Sequence, residues 1–137
     1  MSKPEVSSFQ FTNFVVLESH FQIMERGNYE FTFEFAPAAK VYPSLGQFEL
    51  YLDIEVREKN DLLRIDIKTV SYFTYEEEGD LAENRYFTTN APAIVYPYIR
   101  AYIATMTAQS GVGTVTMPSM NLMPLGDSLR ENISIEA

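Results

Sequence analysis

One segment, Asn90–Gly113, constrains the fold of this chain more than any other. It reads NAPAIVYPYIRAYIATMTAQSGVG and carries a single charge, Arg100, although the whole chain has a formal net charge of -9. Its apolar residues recur at helical spacing, Asn90 can cap a helix, and Gly111 or Gly113 can end one. The segment predicts a helix of about twenty residues.

The apolar residues of this predicted helix cover more than one of its faces. The main stripe and the residues that widen it are Val95, Ile99, Tyr102, Ile103 and Met106, with Ile94, Tyr98 and Ala101. A helix that is apolar most of the way round is buried on more than one side. Pro97 lacks an N–H and is expected to kink the helix or to mark where its regular part begins.

The tail after this helix is too small to cover its second side, so a second subunit is the expected cover. Arg100, the one charge of the helix, is then expected to form an ion pair at the interface. The residues assigned to this oligomer interface are Tyr98, Arg100, Tyr102, Ile103 and Met106.

Length and composition bound the class of protein. A chain of 137 residues with 46% hydrophobic and 21% charged residues is typical of one folded domain, 1–137, with residues 1–8 expected to be disordered. The acidic balance disfavours nucleic acid and anionic membranes as partners. The thirteen uncharged residues of Phe87–Ile99 are too few for a membrane span, which needs about twenty.

The absence of cysteine excludes disulfides, thiolate metal sites and cysteine nucleophiles, and it suits a reducing compartment. The N-terminal residues MSKPEVSSF contain no apolar signal core, so export by that route is not expected.

Four strands are predicted in the sheet region, residues 9–76, and the helical region follows at 90–137. The strand segments are FQFTNFVVLESHFQI, YEFTFEF, QFELYLDIEV and LLRIDIKTVSYFTYE, in which apolar and polar residues alternate. The connections are a tight turn at Arg26–Asn28, a link at Ala36–Gly46 that holds two prolines, and a hairpin at Glu58–Asp61. The acidic run Glu76–Asp80 is interpreted as a solvated loop rather than a metal site.

Catalytic constellations are scarce, and no enzyme activity is predicted. His20, the single histidine, lies beside Ser19 in a strand, where neighbours point to opposite faces, so it is interpreted as a surface or interface residue. Asp53 and Glu55 share a strand face, as on any solvated strand. No cofactor or metal is expected. The methionines Met117, Met120 and Met123 suit either core packing or an adaptable binding surface.

A family resemblance rests on the helix and the stretch that follows it. Its residues are Pro92, Ile94, Tyr96, Pro97, Tyr98, Arg100, Ile103 and Met106, then a glycine turn, Pro118 and Asn121. This pattern, over about thirty-five residues, resembles the SecB export chaperones. The resemblance implies an α+β subunit in which a four-stranded antiparallel sheet is followed by a long helix and a short C-terminal helix. It also implies a homotetramer built as a dimer of dimers, or a dimer.

The function that the resemblance implies is a cytoplasmic, ATP-independent holdase, which binds unfolded or precursor polypeptides and, in the export system, passes them to the SecA motor. Carried over by position, the strand YEFTFEF and the stretch after the helix supply the peptide-binding residues. These are Phe31, Phe33, Phe35, Met120, Leu122 and Leu125. The alternative is that the three phenylalanines only fill the core under the helix.

The resemblance implies an acidic docking patch for SecA on the sheet, and Asp66 matches one acidic position of it. His20 stands where another acid is expected, and the stretch that matches the second helix is short, which weakens the prediction of SecA handover. Two other functions remain open: a SecB-like chaperone dedicated to one client such as an antitoxin, and a small ligand-binding protein with a cavity between sheet and helix.

Overall fold

The computed structural model describes residues 9–76 and 85–136. Its elements are β1 (Phe9–Ile23), β2 (Phe31–Tyr42), a 3-10 turn (Pro43–Leu45), β3 (Gln47–Glu58), β4 (Leu63–Tyr75), α1 (Arg85–Ser110), α2 (Met123–Arg130) and β5 (Ile133–Ile135). The predicted α+β class is confirmed. The predicted count of four strands is wrong, because β5 lies within the region expected to be helical. Residues 1–8, expected to be disordered, and the acidic run beyond Glu76 lie outside the described residues.

The five strands form one sheet in the order β1-β4-β3-β2-β5. All neighbouring strands are antiparallel except β5, which runs parallel to β2 beside Ala39–Val41. β1 therefore pairs with β4 rather than with β2, so the tight turn predicted at Arg26–Asn28 does not lie between paired strands. The predicted hairpin between β3 and β4 is present, and the Asp61 N–H donates to the Glu58 carbonyl at 2.9 Å.

The core lies between one face of the sheet and α1. Alternate residues of β3 are buried, as the predicted pattern requires: Phe48, Leu50, Leu52, Ile54 and Val56. Residues of α1 at a spacing of four close the core from the other side: Phe87, Ala91, Val95, Ile99 and Ile103. The two periodicities together define a two-layer domain.

Strand β2 is longer than predicted, and the link expected at Ala36–Gly46 shrinks to the turn that ends at Gly46. Pro37 is tolerated inside the strand because of where its missing N–H would point. The Glu30 carbonyl accepts from the N–H of Lys59, the residue that follows β3, whereas the Ala39 N–H donates to the Asn132 carbonyl on the opposite side. Backbone groups alternate along a strand, so Pro37 shares the orientation of Ala39 and removes no bond to β3.

Helix α1 begins at Arg85 rather than at Asn90, so Asn90 is inside the helix and does not cap it. Tertiary packing explains the extension, since the Phe87 ring lies 4.5 Å from that of Phe9 and 6.0 Å from that of Tyr75. Pro92 and Pro97 are both accommodated within the helix. Neither helix in the described part of the chain is long and apolar enough to cross a membrane.

The tail covers more of α1 than its length suggested, because α2 packs on α1 through Gly126. A Cβ atom at Gly126 would lie 2.9 Å from the carbonyl oxygen of Thr88. Pro92, four residues after Thr88, has no N–H to donate to that carbonyl. The backbone of α2 thus approaches α1 at a point where only glycine fits, and the expectation that the tail cannot cover the second side of α1 is wrong here.

We predict that Gly46→Ala destabilises the fold by about 2–4 kcal/mol. Gly46 has a φ of 59°, and an added Cβ would lie 2.7 Å from the Tyr75 carbonyl oxygen. Gly111→Ala is the control, because Gly111 has a φ of 89° with no atom within 4 Å of an added Cβ. Urea unfolding of both variants measures the difference, and equal losses would show that the Tyr75 contact is unimportant.

We predict that Gly126→Ala destabilises the protein by about 1–3 kcal/mol, since α2 must move away from Thr88. Helix propensity alone predicts the opposite, a gain of about 1 kcal/mol for Gly→Ala. The exposed neighbour Asp127, changed to Ala, is expected to alter stability by less than about 1 kcal/mol. A stabilised Gly126→Ala variant in thermal or urea unfolding would contradict the close packing of the two helices.

Candidate functional site

An open cavity of about 310 Å³ lies between α2, the loop before it and β2; we call it the α2–β2 cavity. Its lining residues are Phe33, Phe35, Met120, Asn121, Leu122, Pro124, Leu125 and Ser128. The structure thus brings together five of the six residues assigned to peptide binding. The sixth, Phe31, lies further along β2.

The β2 side of the cavity follows from strand alternation. Phe31, Phe33 and Phe35 all point to the face that carries the core, and each is half-buried rather than enclosed. Their rings form a row, with 6.3 Å between the centroids of Phe31 and Phe33, and the Phe35 ring lies 6.3 Å from Tyr96 of α1. All three rings pack against the core, and none of them is fully enclosed by it.

The loop that leads from α1 to α2 is anchored at several points, which fixes Met120 and Leu122 at the cavity wall. The Thr107 hydroxyl accepts from the Val115 N–H at 2.8 Å, and Met117 is fully buried. The Tyr96 hydroxyl donates to the Pro118 carbonyl. Burial raises the pKa of the Tyr96 hydroxyl above its usual range.

The start of α2 sets the remaining wall. The Asn121 side-chain oxygen accepts from the Met123 N–H at 3.1 Å, which satisfies one of the N–H groups that a helix start leaves without a partner in the helix. Pro124 follows in the first turn, where its missing N–H is harmless. Leu125 then faces the cavity, whereas Met123 is 47% exposed and does not line it.

A backbone edge of β2 borders the same cavity. The backbone N–H and C=O groups of Phe31, Phe33 and Phe35 have the same orientation as those of Ala39. They point away from β3. On that side β5 pairs only with Ala39–Val41, and no backbone hydrogen bond to these three residues is found within residues 9–76 and 85–136. We call Phe31–Pro37 the open edge. Sequence reasoning missed it because strand order was unknown, although the position of Pro37 was a signal.

A second cavity of about 720 Å³, which we call the hairpin cavity, surrounds Phe31 at the far end of the row. Its other lining residues are Glu30, Thr32, Arg57, Glu58 and Lys59. The carboxylate of Glu58 is buried and accepts from the N–H of Glu30 at 2.9 Å and of Asn60 at 2.7 Å. These backbone donors, Glu30 first, lower the pKa of Glu58 and hold the hairpin end in shape.

The residues assigned to an oligomer interface fall into two groups. Tyr98 is 46% exposed and its ring lies 4.8 Å from that of Phe11 and 5.8 Å from that of Phe14; we call these three rings the aromatic face. Arg100 is also exposed. Three further interface predictions lie deeper.

Tyr102 and Met106 are half-buried, and the Met106 sulfur accepts from the Ser19 hydroxyl at 3.5 Å. Ile103 is fully buried within the single chain. Its side chain therefore belongs to the core and is not available to a second subunit.

Asp66, assigned to partner docking, lies on the sheet face opposite α1. Its carboxylate accepts from Arg57 at 2.8 Å, so its charge is already paired. Across β1 its register partner is His20, whose ring bonds the Glu18 carboxylate at 2.9 Å. That hydrogen bond, with the charge of Lys68, lowers the pKa of Glu18. The described residues of this face hold no group of three or more His, Asp or Glu side chains suited to a metal ion.

Comparison with protein families and curated proteins gives limited information. No family model matches the chain. An uncharacterised protein of Methanocaldococcus jannaschii is 26% identical over 89 residues, which are 62% of this chain and 57% of that protein. The chain thus spans a little over half the length of this relative.

Comparison with solved structures is more informative. The Mycobacterium tuberculosis Rv1957 SecB-like chaperone, solved in complex with a ChAD peptide from the Rv1956 HigA1 antitoxin, superposes with a TM-score of 0.73 at 21% identity. The match covers 82% of this chain and 90% of that one. A Streptococcus agalactiae protein of unknown function gives a TM-score of 0.47 at 12% identity over 84% of this chain and all of that one, too low to support an argument. The chain therefore has a SecB-like fold.

Proposed function

We propose that this protein is a chaperone that binds non-native polypeptides in extended form along β2. One observation carries the proposal: Phe31, Phe33 and Phe35 present half-buried side chains to two cavities, and their backbone groups lie on an open strand edge. A site that combines an apolar cavity with backbone hydrogen-bonding groups at alternating positions suits an added strand.

The energetics match a binder of low sequence specificity. A client side chain as large as leucine or phenylalanine gains roughly 1.5–3 kcal/mol when it is fully buried in an apolar site. Each net backbone hydrogen bond adds about 0.5–1.5 kcal/mol, whatever the client sequence. Short segments therefore bind weakly, and a long unfolded chain that engages several sites binds more tightly.

This mode of binding requires neither nucleotide nor catalysis. We propose an ATP-independent holdase that is not an enzyme, uses no cofactor and works in the cytoplasm. A small-molecule carrier is the less suitable alternative, because the α2–β2 cavity is open and continues into a strand edge. Small ligands bind mostly in enclosed clefts that bury most of their surface.

A client range restricted to one protein is a second candidate. It is favoured by the structural neighbour, which holds a peptide from an antitoxin. A dedicated chaperone and a general holdase can share one groove, so they differ in the number of unrelated peptides bound. Handover to SecA stays a prediction, since Asp66 is already paired with Arg57 and has His20 as its register partner on β1.

Self-association is part of the proposed function. The aromatic face, with Leu17 of β1 57% exposed, offers apolar surface of the kind that a second copy covers. A dimer, or a tetramer formed as a dimer of dimers, would place several copies of the α2–β2 cavity and the open edge on one particle. Several such sites on one particle raise the effective concentration for a single unfolded client.

We predict that the protein slows the refolding of a denaturant-unfolded test protein and forms a complex with it, seen by size exclusion with light scattering. Leu125→Gln is expected to weaken client binding by about tenfold, because a leucine contact worth roughly 1.4 kcal/mol is lost. Met123→Gln is the matched control on the same helix, outside the cavity, and is expected to bind like the unmodified protein.

Two results would count against this proposal. If excess protein neither slows refolding nor forms a complex, the proposal of a general holdase is rejected. A peptide array would then test for a single client. Equal weakening by Leu125→Gln and Met123→Gln would show that binding does not use the α2–β2 cavity.

We predict that the protein is a dimer or tetramer by light scattering and that Tyr98→Glu shifts it to smaller species. The added carboxylate would be buried between aromatic rings at an interface. Gln109→Glu adds the same charge at an exposed position near the end of α1 and is expected to leave the mass unchanged. If Tyr98→Glu leaves the mass of a stable oligomer unchanged, the interface lies elsewhere.

A further inference from the structure

The edge of β2 that is open beside the cavities is occupied further along by a strand of the chain itself. β5 lies beside Ala39–Val41, parallel to β2, and the open edge Phe31–Pro37 ends just before it. The chain therefore shows that this edge accepts a strand, and it also shows where the accessible part stops.

β5 is held firmly in this position. The Ala39 N–H donates to the Asn132 carbonyl at 3.0 Å, and the Glu136 N–H donates to the Val41 carbonyl at 2.7 Å. The Asn132 side chain donates to the Ser128 carbonyl at 2.8 Å, which ties the start of β5 to α2. Because Gly126 seats α2 against α1, β5 is fixed to the same body that forms the cavity wall.

Pro37 lies at the boundary between the open edge and β5. It would direct an N–H toward this edge if it had one, so a strand added beside it loses one donor. Two residues later the Ala39 N–H is already used by Asn132. A bound strand that extended along β2 would thus lack a hydrogen-bond donor beside Pro37. Further along, the backbone of β5 already occupies the edge.

We propose that β5, together with Pro37, sets the length of the client segment that the site accepts. The proposal rests on the proposed function and specifies the client as an extended stretch of about seven residues, which spans roughly 20 Å at about 3.3 Å per residue. Longer strands gain nothing from β2 beyond Pro37. Each site binds one short extended segment of a client. A long client therefore binds through several such segments.

The test uses fluorescent peptides of alternating leucine and threonine with lysines at both ends, in lengths of about five, seven, nine and eleven residues. Fluorescence anisotropy gives the affinity of each for the full chain and for Ser134→Pro. The parallel ladder directs the Ser134 N–H at β2, so proline removes a bond that holds β5. Ser134→Ala keeps this N–H and is the matched control.

For the unmodified protein and Ser134→Ala, affinity is expected to rise up to about seven residues and then to level off. In Ser134→Pro it continues to rise, and the longest peptide binds about tenfold tighter than to the unmodified protein, because two or more backbone bonds become available. The shortest peptide binds all three proteins alike.

The same plateau in all three proteins would overturn the role of β5 while leaving peptide binding intact. Failure of every peptide to bind any of them would instead reject the proposed function. Hydrogen exchange checks that Ser134→Pro releases β5 without unfolding the sheet. The Ala39 amide is then expected to exchange faster, while the Leu50 amide of β3 stays protected. If Ser134→Pro does not fold, a chain that ends at Asn132 serves in the same assay, because it retains α2 and its contact with Thr88.

Discussion

The close approach of Gly126 to the Thr88 carbonyl is the constraint on which the α2–β2 cavity depends. It brings α2 against α1 more closely than any side chain would allow, because an added Cβ would lie 2.9 Å from the Thr88 carbonyl oxygen. In that position Leu125 of α2 lines the cavity beside β2, and the chain continues from α2 into β5. One small residue thus fixes a cavity wall and the end of the strand edge together.

The sheet and the main helix were accessible to sequence reasoning because their signals are local and repeated. Alternation identified β1 to β4, and helical spacing identified three residues of the buried stripe of α1, namely Val95, Ile99 and Ile103. What failed depends on contacts distant in sequence. Three residues of β5 carry too little pattern to be recognised and form a strand only because β2 offers an edge. Asn90 has a side chain suited to a helix cap, but the packing of Phe87 on Phe9 extends the helix toward the N-terminus beyond Asn90.

The site followed the same division. Residues assigned by family resemblance, such as Phe33 and Leu125, meet at one cavity, because resemblance carries spatial information that periodicity lacks. Ile103 was assigned to an interface from its place on an apolar helix, yet the sheet of the same chain covers it completely. A helical pattern shows that a residue is buried, but not which partner buries it.

The two long borders of the sheet differ in a way that matters for a protein rich in extended structure. β1, at one border, is interrupted by bulges between Phe11 and Asn13 and between Val16 and Glu18, and such irregularities discourage edge-to-edge pairing with other chains. β2 is regular, but its exposed length is short and closed by proline and β5. Little regular edge is therefore left on which copies of the same chain could add strands, which disfavours fibre formation at high concentration.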